Sequence, residues 1–162
     1  MGTGKSSVGL ILARMLDFTF VDTDVLIEER ANQTIPEIFA ASGEAAFRKL
    51  EVEVTREMEE TARTVIATGG GLILNPDNLA SLKKHALVAC LWAQTATIYE
   101  RVKSQKHRPL LASPDPRAKI EELLEARKPF YRQADVLVSS DFRNTYEVAQ
   151  HVRHEFDLIN RA

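Results

Sequence analysis

Gly2-Thr3-Gly4-Lys5-Ser6-Ser7 gathers two glycines, a lysine and three hydroxyls within six residues. Those types in that order match the end of the phosphate-binding pattern Gly-x-x-x-x-Gly-Lys-Ser/Thr. Glycine lets the backbone turn its N–H groups inward around a phosphate, at φ values that other residues avoid. Lys5 would reach the outer phosphates of a nucleoside triphosphate, and the Ser6 hydroxyl would ligate Mg²⁺. Apolar residues at helical spacing follow from Val8 to Leu16. A helix there would aim the positive end of its dipole at the same anion. A Gly-rich turn with a chance Lys-Ser is the bland alternative, and the helical pattern argues against it. The full pattern also calls for a Gly two positions before Met1 and a strand before that Gly, so the coding sequence is expected to continue upstream with both.

Acids and bases recur further along at spacings that suit a phosphoryl acceptor. Asp22-Thr23-Asp24 closes a short strand-like run, Phe18 to Val21. Open α/β sheets bind ligands at the carboxyl ends of their strands, and carboxylates two apart in an extended segment point the same way. Asp22 can support Mg²⁺, while Asp24 can accept or orient the proton of an attacking hydroxyl. A plain helix cap before Val25-Leu26-Ile27 is the competing reading. Arg48 and Glu51 lie one helical turn apart, so they can pair and aim a guanidinium at a carboxylate; a surface ion pair is the alternative. Gly69-Gly70-Gly71 follows the apolar run Val65-Ile66-Ala67, and three successive glycines fit either a close approach of backbone to a ligand or a simple turn. Arg108-Pro109-Leu110-Leu111 falls in a stretch, Gln105 to Arg117, with three prolines and no amphipathic period. An Arg on such a loop can close over phosphates and offset charge in a transition state, or merely be exposed. Arg127, followed by Pro129 and Tyr131, is a second carboxylate clamp or a solvated side chain.

Helices and strands must position these groups. Thr34-Ile35-Pro36-Glu37 is a capping box with Pro36 in the first turn. A helix is expected from about Gly43 to Thr61, another from Asn75-Pro76-Asp77, a strand from Leu87 to Trp92, and a helix capped by Thr95 through about Lys103. A helix of about Ala118 to Arg132, a strand Val136 to Val138 and a helix of about Tyr146 to Asn160 follow. Strands alternating with helices imply parallel βαβ units, hence an α/β three-layer sandwich with a parallel sheet. The strands are short and apolar on both faces, as parallel strands covered by helices are. The 162 residues fit a single domain, 1–162, with a lid at about 105–117. A content of 44% hydrophobic and 27% charged residues excludes a disordered chain. A net charge of -2 argues against a surface built for nucleic acid. A single cysteine, Cys90, forms no internal disulfide, which points to a reducing, cytoplasmic setting. No apolar run reaches the ~18 residues of a membrane helix, and no signal peptide is expected.

A guanine-reading Asn-Lys-x-Asp is absent, which sets aside switch GTPases, and motor ATPases are much larger. Small-molecule kinases remain. Gly-x-Gly-Lys-Ser, Asp22-x-Asp24, Ile-Phe-x-x-x-Gly-Glu-x-x-Phe-Arg (Ile38 to Arg48), Gly-Gly-Gly, Arg-Pro-Leu-Leu and Arg127-x-x-x-Tyr131, in this order, resemble the shikimate kinase family from Met1 to about Val152. The resemblance implies Mg²⁺-dependent transfer of the γ-phosphate of ATP to the 3-hydroxyl of shikimate, in the pathway to chorismate and the aromatic amino acids. It implies that Gly2, Thr3, Gly4, Lys5, Ser6 and Ser7 hold ATP, that Ser6 and Asp22 serve the metal, and that Lys5, Asp24 and Arg108 are catalytic. Asp24, Arg48, Arg127, Gly69, Gly70 and Gly71 would hold shikimate. Arg101 and Arg143 match positions near adenine, Arg143 with a one-residue gap. The implied partners are small molecules alone, with the chain a monomer. A gluconate or nucleoside monophosphate kinase, and an ATP-binding module without catalysis, are the competing readings.

Overall fold

The computed structural model of the chain describes residues 2–103 and 113–160. Helix α1 (Lys5–Leu16) springs directly from the glycine loop, with Gly4 as its N-cap at φ 89°, a backbone that side chains with a Cβ rarely adopt. Strand β1 (Thr19–Asp22) feeds α2 (Thr23–Ala31), whose N-cap is the Asp22 carboxylate accepting from Asp24 N at 3.1 Å. The Thr34–Glu37 capping box is present and opens α3 (Ile35–Met58). The second helix expected from about Gly43 runs on from this first one, with the non-helical Gly43 (φ 76°, ψ 174°) as the kink between them. Strand β2 (Thr64–Ala67), a short 3-10 helix (Leu72–Leu74) and α4 (Pro76–Lys83), capped by Asn75, come next. Strand β3 (Ala89–Trp92) leads to α5 (Thr95–Val102), then α6 (Pro116–Tyr131), β4 (Val136–Ser139) and α7 (Thr145–Ile159), the last opened by an Asn144–Glu147 capping box.

Two expectations shift. Thr95 does not cap α5; Gln94 holds that position, and its N–H donates to both oxygens of Asp141 at 3.1 Å. A carboxylate brought from beyond β4 outcompetes the local hydroxyl. Pro116 and Arg117 belong to α6 rather than to the lid, because Asp115 caps the helix through Ala118 N and Pro116 lies in its first turn. The rest of that lid, 105–112, lies outside the described residues.

The strands are parallel, as expected, but they form two pairs rather than one sheet. β1 runs beside β2 in the register Thr19↔Thr64 to Asp22↔Ala67, and β3 beside β4 from Ala89↔Val136 to Trp92↔Ser139. No described strand lies between β2 and β3. A cleft of about 520 Å³ there is lined by Val65, Ile66, Cys90 and Leu91, with Phe18 and Phe156 at one end. Helices α1 and α7 close over it: Val8, Leu12, Val148, Ala149 and Val152 pack on Val138 and against Val65, Ala89, Leu91 and Val136. Ile27, Ile38, Phe47 and Val54 join α2 to α3, and Ile98, Val102 and Ile120 join α5 to α6. Among the described residues no helix is long and apolar enough to cross a membrane.

The Asp141 cap carries a stability consequence. Asp141 is 9% exposed and also accepts from Ser139 Oγ at 3.2 Å. Asp141→Ala is expected to lower the unfolding free energy in urea by about 1–2 kcal/mol, the upper range for a lost cap. An unchanged value would mean that the α5 terminus is satisfied by water.

Candidate functional site

Side chains join the carboxyl ends of β1 and β4 to the phosphate loop. Ser6 Oγ donates to Asp22 Oδ2 at 2.5 Å, tying the loop to the end of β1. Arg101 donates from Nη1 to Ser140 Oγ at 2.9 Å, from Nη2 to Ser140 O at 2.6 Å and from Nη1 to Gly2 O at 3.4 Å. It ties the same loop to the end of β4. The cap reading of Asp22 holds: one oxygen caps α2, while the other meets the phosphate-loop serine. A hydroxyl and a carboxylate side by side on an exposed rim are the hard oxygen donors that Mg²⁺ takes, with phosphates and water completing its shell. Among the described residues no cluster of three or more His, Cys, Asp or Glu offers a fuller cage.

Asp24 stands in the first turn of α2, two residues after the last residue of β1. Its Oδ1 is buried and has no hydrogen-bond partner among the described residues. Burial, with the neighbouring Asp22 charge added, raises its carboxyl above the usual aspartate value, while the nearby Lys5 ammonium pulls it down. Thr23 beside it accepts from Gly69 N at 3.3 Å and so pins the triple glycine to the end of β1. The glycines are needed for space. A Cβ on Gly69 would stand 2.6 Å from Asp24 Oδ1, and one on Gly71 would stand 2.6 Å from Arg48 Nη1. The close approach seen is to the protein's own Asp24 and Arg48 side chains rather than to a ligand.

Arg48 lies across Gly71 from Asp24. Its Nη1 donates to Glu51 Oε2 at 2.6 Å, and Glu51 is 2% exposed, so the pair is not the surface bridge that spacing alone allowed. Nε and Nη2 donate to Glu44 Oε1 at 3.2 and 2.7 Å. The Phe47 ring sits 5.4 Å from the guanidinium carbon, close enough for a cation–π contact. Burial pushes the Glu51 carboxyl up against the opposing pull of Arg48. Tyr131 brings α6 to this cluster by donating to Gly70 O at 3.1 Å. Arg127, one turn before Tyr131 and on the same helix face, is half-buried and makes no ion pair among the described residues.

Lys5, Ser6, Asp22, Asp24, Arg48 and Gly69 to Gly71 thus share one edge of the fold, with Arg127 on the helix that Tyr131 docks there. Arg101 serves as a brace of the phosphate loop. Arg143 instead donates to His151 Nδ1 of α7 at 2.8 Å. Arg108 lies outside the described residues. Sequence reasoning passed over Thr23, Glu44 and Tyr131 as site residues. Glu44 was detectable as an acid four residues before Arg48, and Tyr131 by the same spacing after Arg127; Thr23 carried no signal beyond lying between two aspartates.

The raised Asp24 carboxyl fixes the sign of a pH effect. A native value above the unfolded one means that the folded chain binds the extra proton, so this group's contribution declines as pH rises through the raised value. Asp24→Asn is expected to be more stable than the parent at pH 8, with the difference closing below the ordinary carboxylate range. Chemical denaturation across pH checks this, and a parent more stable at pH 8 would contradict it.

Known proteins resemble the chain at this level of detail. A family profile described as shikimate kinase matches residues 1–157. A shikimate kinase of Thermodesulfovibrio yellowstonii is 41% identical over 160 residues, covering 99% of this chain and 92% of the relative. One of Caldanaerobacter subterraneus is 44% identical over 152 residues, covering 94% and 89%. Among solved structures, shikimate kinase from Acinetobacter baumannii in complex with shikimate superposes with a TM-score of 0.91 at 35% identity, covering 99% of this chain and 89% of that one. The enzyme from Bacteroides thetaiotaomicron gives 0.89 at 31% identity, covering 97% and 94%.

Proposed function

The chain belongs to the shikimate kinase family and is an ATP-dependent phosphotransferase acting on shikimate, and we propose how its own residues divide that work. The observation that carries the proposal is the unpartnered, buried Oδ1 of Asp24, set beside the Arg48 guanidinium across the triple glycine. Shikimate offers one carboxylate and three hydroxyls on a small ring. Arg48, joined by Arg127 from α6, takes the carboxylate, and Asp24 takes the hydroxyl that will be phosphorylated.

The backbone N–H groups of Gly2 to Ser7 and the amino end of α1 bind the phosphates of ATP. Lys5 spans the two halves, since its charge is felt at Asp24, and it offsets the negative charge that builds on the moving phosphoryl group. Asp24 accepts the proton of the 3-hydroxyl as its oxygen attacks. A carboxyl raised by burial is a better base at neutral pH than an exposed one. Ser6 and Asp22 would hold Mg²⁺, which would supply charge neutralisation at the phosphates. Arg108 closes on the phosphates as the lid arginine; the Arg-Pro-Leu-Leu resemblance supports that role. Arg101 acts on the nucleotide side by bracing Gly2, whereas Arg143 contributes there only if it leaves His151. The lone cysteine and the small-molecule site favour a cytoplasmic monomer.

A coupled assay with ATP, Mg²⁺ and shikimate, run beside gluconate and nucleoside monophosphates, tests the reading. Turnover is expected with shikimate alone. Asp24→Asn should lower kcat about 10²–10⁴-fold, the usual worth of a positioned acid–base group. It should also remove an acid limb that lies above the ordinary aspartate range in the parent. Arg48→Ala should raise KM for shikimate about 10–100-fold, as the loss of hydrogen bonds to a charged group would. Turnover of gluconate or a nucleotide with none of shikimate would overturn the assignment.

A further inference from the structure

Arg48 holds two carboxylates, and they differ in how firmly they are placed. Glu51 is 2% exposed and cannot leave the guanidinium without stranding a buried charge. Glu44 is 64% exposed and makes an ordinary i,i+4 pair of the kind worth only a few tenths of a kcal/mol. Glu44 nonetheless occupies the Nε–Nη2 edge of Arg48, the edge that a bidentate carboxylate uses. It follows directly on Gly43, which breaks the helix with open space around it. Released from Arg48, Glu44 would sit in the first turn of the second half of α3, in water and at the positive end of that helix.

We propose that Glu44 is an internal stand-in for the carboxylate of the acceptor, a specificity-setting residue that shikimate must displace from Arg48. The inference rests on the reading of Arg48 as the partner of the shikimate carboxylate. Arg48 keeps Glu51 throughout, so its guanidinium stays aimed while its outer edge exchanges one anion for another. An acceptor without a carboxylate cannot make the exchange and leaves Glu44 in place. Apparent affinity is lowered by the fraction of molecules in which Arg48 is engaged by Glu44. Glu44 thus weakens binding of the right acceptor slightly while keeping the arginine edge satisfied in its absence.

The test is shikimate binding to the full chain by titration calorimetry, with kcat measured alongside. Glu44→Gln is expected to tighten shikimate binding about two- to threefold at low salt, with the gain shrinking as salt is raised. Glu44→Ala should behave likewise, which guards against a misfolded single variant. The triol ring lacking the carboxylate should bind parent and variant equally. Unchanged or weaker shikimate binding in both variants would overturn the proposal and make Glu44 a support for Arg48. Failure of the underlying reading looks different: Arg48→Met would then leave shikimate affinity as it was.

Discussion

A carboxylate as buried as Glu51 stays ionised only against a cation, and Arg48 is that cation, 2.6 Å away. The pair fixes one end of the cluster proposed to hold the acceptor. Because the guanidinium lies over Gly71, that position has no room for a Cβ. Because Asp24 lies over Gly69, that one has none either, and the loop after β2 passes between an acid and a base. Thr23 and Tyr131 hold it there from opposite sides, one on Gly69 N and the other on Gly70 O. The result is an acceptor Oδ1 and a guanidinium aimed at common ground, with apolar packing from Phe47, Val54 and Ile38 behind them. Burial raises both the Asp24 and Glu51 carboxyls, so the arrangement costs stability, as strain at active sites generally does.

The other half of the site is built by joining strand ends to the glycine loop. Ser6 reaches β1 and Arg101 reaches the residue after β4. Two strand pairs that share no ladder hydrogen bond among the described residues are thereby referred to one loop, with α1 and α7 packed together over them. Phosphoryl transfer is mostly positioning and charge stabilisation. A scaffold that delivers Lys5, the Ser6–Asp22 pair and the Asp24 carboxylate to the same edge suits the roles proposed for them without a covalent nucleophile.

The legible parts of the sequence were those whose partners lie within one helical turn. The capping box at Thr34, the Arg48–Glu51 pair and the glycine loop were read from residues close together in the chain, whereas the Asn144–Glu147 box passed unread. Contacts between distant segments were not legible. Asp141 displaces Thr95 as the cap of α5 from 47 residues away. Arg143 turns to His151, and Arg101 to Ser140, because a guanidinium takes whichever acceptor folding brings close. The burial that separates Glu51 from Glu44, both within reach of Arg48, likewise exists only once Phe47 and its neighbours have packed.

The central claim is that Arg48 and Asp24 together place one hydroxyl of shikimate in line with the phosphates of ATP. Phosphorus NMR of the product, made by this chain from ATP and shikimate, tests it most directly. A single monoester on the 3-hydroxyl is the predicted result. Phosphate on another hydroxyl, or ADP and inorganic phosphate released without any ester, would contradict it.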